Sequence, residues 1–331
     1  MAAQMIYSLS ICGRATLDMH SLNNEGGEGN QMTTRMVTIV HNDGGEPKLA
    51  TVNAISGDMF KHIQAEHLYR LAKGTLPLCA GCQTFNASRI LEDKEFMGTL
   101  PKEDSSVIDA LLEKCALDDL EGNLIAKNTR SVPRKSVAEF GWVVGLPEVT
   151  RTESYFHVRY AAEHGGDEKA SQPIFHRPAS SGVYAIVANF EIARIGFNDI
   201  AQKYAVGDEE RALRCKAFLE SILYTFIEPN GAMRGTQNPH ILGFEGAVTV
   251  SKKIMPAPAL SPLEDSYVSE LKRVAGALNK IISDALTVHE FASMGAFAEV
   301  MQALIADSIP YKMPEHIEES EAKAKKAKKG G

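Results

Sequence analysis

The sequence predicts an α+β fold on a split βαβ, ferredoxin-like plan, and three observations carry that reading. The chain opens with the two-residue alternation of a half-buried strand, with Tyr7, Leu9 and Ile11 set between Ser8 and Ser10. Two helical patterns, Ser56 to Lys73 and Asp208 to Phe226, each fall between strand-like stretches. Two strong strand candidates, Tyr155–Ala162 and Val183–Phe197, follow one another with a polar segment between them.

Bulk properties narrow the function. A chain of 331 residues that is 44% hydrophobic buries a large core without staples. Lys and Arg total 35 against 42 Asp and Glu, a formal charge of -7, so no global positive field recruits nucleic acid and any polyanion site must be local. Cys12, Cys79, Cys82, Cys115 and Cys215 form an odd, sparse set that fits a reducing cytoplasm better than a disulfide framework. The longest apolar runs are too short to span a bilayer, so no membrane partner is expected.

In chain order, Met5–Leu17 reads as a strand, and the Gly- and Asn-rich stretch 18–31 as a long loop. A strand at Arg35–Val40 and another at Lys48–Ala54 flank a hairpin-like turn, Asn42-Asp43-Gly44-Gly45. Ser56 caps a helix that runs to about Lys73, with Phe60, Ile63, Leu68 and Leu71 on one face and Gly74 closing it. From Thr75 to about Thr150 the period is lost among Pro77, Pro101, Pro133 and Pro147; only Ser105–Cys115 looks helical, and the region reads as an insertion. Asp208 starts a helix carrying Ala212, Cys215, Leu219, Ile222, Leu223 and Phe226, and Pro229-Asn230-Gly231 stops it. A strand at Phe244–Val250 leads to a Pro-rich connector, then to helices near Pro262–Ser283 and Val288–Ile305. The end, Glu315–Gly331, is a mixed-charge Ala/Lys tail read as disordered.

Several clusters have the composition of a site. Cys79-Ala80-Gly81-Cys82, with Cys115 beyond, starts a zinc ligand set that His62 or His67 would have to complete; buried thiols and a redox pair are the other readings. No cofactor is required, and a structural zinc is the one candidate. Ser56-Gly57-Asp58 at a helix start, with Lys61 and His62 one turn on, offers backbone N–H groups and cations to a phosphate, or is simply an N-cap beside solvated side chains. Glu25–Gln31 and Gly231–Thr236 are phosphate cradles or plain flexible loops. Basic residues at Arg130, Arg134 and Lys135, and at His157, Arg159, His176 and Arg177 among Tyr155, Phe156 and Phe175, have the mixture that grips single-stranded nucleic acid; a solvated hairpin edge has it too. No nucleotide fingerprint, nucleophile elbow or other catalytic motif occurs.

Taken together and in order, the blocks Ser21–Gly26 (Ser-Leu-Asn-Asn-Glu-Gly), Ile55–Asp58, Leu78–Cys82, Cys115–Gly122, Phe156–Arg159, Arg194–Phe197 and Gly231–Gly235 are recognisable. Over roughly residues 5 to 270 the chain resembles the CRISPR-associated backbone subunit of Cascade, the RNA-guided surveillance complex, in its DevR-type or negative-autoregulator branch. The resemblance implies a hand: an RRM-like palm (residues 1–73, continued at 183–312 with C-terminal helices), a fingers insertion (74–150), a palm strand with a thumb β-hairpin (151–182, the thumb itself about Glu153–Ser181) and a tail (313–331).

The same resemblance implies that Asn23, Asn24, Ser56, Gly57, Lys61, His62, Arg234 and Gly235 line a guide-RNA groove, with Ile174 and Phe175 as a base-flipping wedge. It raises the thumb cluster His157, Arg159, Phe175 and His176 to RNA contacts, with Arg134 alongside. The expected protein is a cytoplasmic, non-enzymatic ribonucleoprotein component. It stacks with copies of itself and other Cascade subunits on one crRNA and meets target DNA through the guide. Two other readings stand beside it. Related type III subunits cut target RNA with an aspartate in the loop after the first strand, where this chain has Asp18, Glu25 and Glu28 but no Asp at the Gly-rich centre. Transcriptional autoregulation is the third, without any helix-turn-helix pattern behind it.

Overall fold

The structure, a computed structural model, describes residues 3–127, 129–158, 174–229 and 238–315. Strand β1 (Gln4–Ile6) leads into β2 (Ser8–His20), an interior strand of the main sheet. Alternation along β2 does two jobs. Leu9, Ile11, Ala15 and Leu17 enter the principal core, while Cys12 on the opposite face packs with Tyr267 and Leu271. The polar residues of that second face are satisfied by the Pro-rich connector: Ser10 donates to the Pro258 carbonyl at 2.6 Å and Arg14 to that of Pro262 at 2.7 Å.

The expected loop at 18–31 is instead strand. β2 runs on to His20, and β3 (Asn24–Glu28) pairs with β4 (Gln31–Thr34) as an antiparallel hairpin. Its glycines are hairpin devices: Gly26 (φ 107°) lies where the register shifts and Gly29 (φ 61°) at the turn. A second hairpin follows from β5 (Met36–Asp43) and β6 (Glu46–Ile55), turning through Gly44 and Gly45, both at positive φ.

Ser56 then caps α1 (Gly57–Ala72) by accepting the Met59 N–H at 3.2 Å. The insertion that follows is more regular than its sequence. It holds α2 (Ala80–Gln83), α3 (Lys94–Gly98), α4 (Asp104–Lys114) and α5 (Ala116–Glu121), then the hairpin β7 (Asn123–Lys127) and β8 (Arg130–Arg134). The chain regains the main sheet at β9 (Ala138–Phe140) and β10 (Val143–Val158), whose partner is β11 (Ile174–Phe190). β10 thus starts well before the expected Tyr155, because Pro147 lies where the β10–β11 register shifts between Gly145 and Thr150 and does not end the strand.

A short pair, β12 (Phe197–Asn198) and β13 (Lys203–Tyr204), precedes α6 (Asp208–Ile227), which packs on α1; Gln64 donates to the Ser221 hydroxyl between them at 2.7 Å. β14 (His240–Ser251), α7 (Tyr267–Leu278), β15 (Leu286–Phe291), α8 (Met294–Asp307) and β16 (Ser308–Pro310) complete the described chain. The expected helix from Val288 therefore begins only at Met294, since Leu286–Phe291 pairs with β14 as an edge strand. The main sheet runs β15-β14-β2-β11-β10-β6-β5, with β1 and β16 paired parallel apart from it. Phe190 and Phe218 of α6 meet edge to face beneath β2 and β11, and Phe226, Phe244, Phe291 and Phe297 form an aromatic cluster under β14.

Candidate functional site

The start of α1 is fixed from two sides. Asn23, buried at the base of the β3–β4 hairpin, accepts the Ser56 backbone N–H through Oδ1 at 2.8 Å, while its own carbonyl receives Arg35 N–H at 3.1 Å and the Thr34 hydroxyl at 3.2 Å. Gly57 lies so close to β9 that a Cβ there would stand 2.1 Å from the Phe140 carbonyl oxygen. The first turn of α1, with N–H groups that have no partner inside the helix, is held at the surface with Asp58 and His62 exposed.

One turn on, Lys61 and His62 line a cavity of about 350 Å³ with Phe85, Asn86 and Arg89. Burial pulls the Lys61 ammonium below its usual range, and the nearby Glu121 carboxylate opposes that pull. Glu121 is itself buried, and burial pushes its carboxyl up. His62 packs its ring 5.7 Å from Phe85. Asn24 is half-buried and donates to the Met32 sulfur at 3.1 Å.

The second cluster lies on the outer half of the β10–β11 hairpin. Phe156 is 59% exposed and meets His176 edge to face at 5.7 Å, with His157 half-buried beside them. His176 N–H donates to the Asn30 carbonyl at 2.9 Å, so the tip of β3–β4 rests against this hairpin. The β3–β4 hairpin therefore joins the two clusters: its base holds the helix start and its tip touches His176. At about 3.3 Å per residue its five-residue strand spans roughly 17 Å.

Several expected contacts fall elsewhere. Arg134 is buried and engaged: it donates to Asp119 at 2.7 Å, to Asp199 at 2.9 Å and to the carbonyls of Phe197 and Arg194, both at 2.8 Å. It faces the protein interior, because desolvated Asp119 requires cationic partners. Asn23 likewise spends its Oδ1 on Ser56. Arg159, Arg234 and Gly235, the side chains of Ile174 and Phe175, and the tail from residue 316 lie outside the described residues.

Sequence reasoning also missed residues. Arg35 sits 5.4 Å from the ring of Trp142, which is 46% exposed beside the Phe140–Gly141 backbone that abuts Gly57. A lone exposed tryptophan next to a helix start is a stacking surface, and its uniqueness in the chain was the available signal. Arg89 and Asn86 come from an irregular segment with no period to announce them.

The cysteines converge inside the insertion. The sulfurs of Cys79, Cys82 and Cys115 and a carboxylate oxygen of Asp118 all lie within 4.8 Å of one another, and all four residues are buried. Neither expected histidine takes part: His67 Nε2 contacts the Glu228 carbonyl at 2.9 Å, and His62 lies against Phe85. Asp118 was legible after all, since Cys115-x-x-Asp118 repeats the spacing of Cys79-x-x-Cys82. Hydrogen bonds from Cys115 and Cys82 hold the Cys79 thiol down at about 5, and burial pushes the Asp118 carboxyl up to about 7.

No described helix is long and apolar enough to cross a membrane. Residues 11–272 match the family described as "CRISPR-associated negative auto-regulator DevR/Csa2". The chain is 25% identical over 297 residues to the "CRISPR-associated protein Cas7/Cst2/DevR" of Methanocaldococcus jannaschii, covering 82% of this chain and 90% of that one. It is 23% identical over 287 residues to "CRISPR-associated protein Cas7/Csa2 1" of Saccharolobus solfataricus, covering 83% and 89%. Among solved structures, a chain of a "CRISPR RNA-guided surveillance complex, pre-nicking" aligns over 93% of this chain and 96% of its own at 13% identity and a TM-score of 0.48. The family match spans the helix start, the cysteine cluster and both hairpins alike, and on it this chain belongs to the DevR/Csa2 family of Cas7-type CRISPR-associated proteins.

Proposed function

We propose that the protein is a guide-RNA-binding backbone subunit of a type I Cascade complex. Copies stack head to tail along one crRNA and hold its ribose-phosphate, leaving the bases to pair with target DNA. The strand order β14-β2-β11-β10, with α1 and α6 packed into one core, supports an RRM-like palm. On this reading the outer β10–β11 hairpin is the thumb, and α2 to β8 are the fingers.

The observation that carries the reading is the pair of contacts Asn23 Oδ1 with Ser56 N–H and Asn30 carbonyl with His176 N–H. Together they make one strip from the α1 N-terminus and Lys61 to the exposed Phe156 and the half-buried His176. That strip has the composition single-stranded RNA requires, cations and N–H groups for phosphate with aromatic faces for bases. A chain of net charge -7 can use so narrow a strip because the counterion-release gain repeats in every copy along one RNA. Asp18 accepts the Ser181 hydroxyl at 2.6 Å within the paired sheet.

Because Lys61 faces buried Glu121, reversing its charge would disturb the fold as well as the surface. The test therefore uses Lys61→Gln with His62→Glu, the latter on an exposed side chain. Coexpressed with a guide transcript, the unmodified chain should copurify with RNA of guide length. The double variant should keep its melting temperature within a few degrees and retain about tenfold less RNA per chain. Undiminished RNA in a folded double variant would remove the helix start from the interface.

A further inference from the structure

The converging side chains of the insertion form a donor set with a specific size. A zinc ion with Zn–S bonds of about 2.3 Å places tetrahedral ligand atoms about 3.8 Å apart. Three sulfurs and one carboxylate oxygen that all lie within 4.8 Å of one another fit a single ion of that kind. A disulfide would need only two of them, at about 2.0 Å, and would leave the third thiol and the carboxylate unexplained in a dry pocket.

The surroundings aim these atoms inward. Asn123 donates to Asp118 Oδ1 at 2.5 Å, which leaves Oδ2 facing Cys79 and Cys82 at 3.3 and 3.5 Å. The Cys82 backbone N–H donates to the Cys79 sulfur at 3.4 Å, so the first ligand turn is closed by its own backbone. Gly81 between them permits the close approach of the next segment, since a Cβ there would stand 2.0 Å from the Arg89 carbonyl oxygen. Ala116 N–H donates to the Pro77 carbonyl at 2.9 Å and brings the second ligand turn beside the first.

We propose that Cys79, Cys82, Cys115 and Asp118 bind one structural zinc ion. All four ligands are buried and the set leaves no open coordination position, which is the arrangement of a structural site and not of a catalytic one. Three thiolates and a carboxylate around Zn²⁺ leave excess negative charge; Arg89, whose charge acts on Asp118, offsets part of it. The ion fastens the segment at 79–82 to the start of α5. It supplies by coordination the order that α2 and α5, of four and six residues, are too short to provide alone.

The test is elemental analysis of the full chain, expressed with zinc in the medium and purified without chelator. About one zinc per chain is expected, released by a mercurial reagent as the thiols are capped. Asn123→Ala removes the residue that orients Asp118 without removing a ligand, and it should fold yet lose zinc to a chelator at least about tenfold faster. Asp118→Cys should keep a full complement of metal with a fourth sulfur. Metal in fewer than about one chain in ten would overturn the proposal, as would a Cys79–Cys82 disulfide in freshly purified protein or zinc retention indifferent to Asn123→Ala.

Discussion

Asp119 and Arg214 form an ion pair of 2.8 Å in which both side chains are fully buried. The same carboxylate takes Arg134 at 2.7 Å and the Gly196 backbone N–H at 2.9 Å, so one residue of the insertion fastens β8, the 190s segment and α6 together. Removing it leaves Arg134 with only Asp199 and Arg214 with only Glu210 as carboxylate partners, both at the rim of the buried site. Asp119→Ala should lose about 3–5 kcal/mol of unfolding free energy. Urea unfolding followed by circular dichroism measures this, and a loss under about 1 kcal/mol would mean that Asp199 and Glu210 suffice for the two cations.

Gly57 is a steric requirement at the helix start. Gly57→Ala would push its methyl carbon into the Phe140 carbonyl, and we expect about 1–3 kcal/mol of destabilisation together with weaker RNA retention as Ser56 leaves Asn23. Gly207→Ala, at the N-cap of α6 where nothing lies within 4 Å of the added carbon, is the control and should shift the urea midpoint little.

His20 makes the fold acid-sensitive. Burial against Tyr184 lowers its pKa from 6.5 to about 4, so the folded chain keeps the ring neutral while the unfolded chain protonates it. The resulting stability is full above pH 6.5 and is lost progressively as pH falls from 6.5 to 4, by up to about 3 kcal/mol. His20→Gln should flatten this part of the profile in urea midpoints taken between pH 7 and pH 4.5.

Assembled protein incubated with complementary RNA and magnesium should leave the RNA intact. Asp18→Ala should change no cleavage pattern while costing the fold the Ser181 hydrogen bond, about 1.5–3 kcal/mol. Regularly spaced cuts that vanish in Asp18→Ala would establish the nuclease reading instead.

The legible parts of the sequence were those where one period runs uninterrupted. α1 and α6 lie within a residue or two of their expected limits because their apolar faces and stop signals, Gly74 and Pro229, act locally. Strands built with exceptions were harder to read. Glycines mark a loop on paper, yet at Gly26 and Gly29 they make the β3–β4 hairpin. Pro147 looks like a boundary but falls at a register shift, where one lost hydrogen bond is tolerated. In the candidate site, capping chemistry placed Ser56 at the start of α1, where the structure has it. Arg134 was misplaced because the sequence shows a charge and not its partner: Asp119 lies 15 residues away and becomes its neighbour only through α5 and the β7–β8 hairpin.

Consecutive residues on one short helix point about 100° apart, and on α5 those residues are Asp118, turned toward the sulfurs, and Asp119, turned toward Arg214. Twisting α5 about its axis to relieve one attachment strains the other, so the helix behaves as a doweled joint. Any distortion of the molecule must then be taken up away from this joint, while the insertion and the sheet beneath it move as one piece.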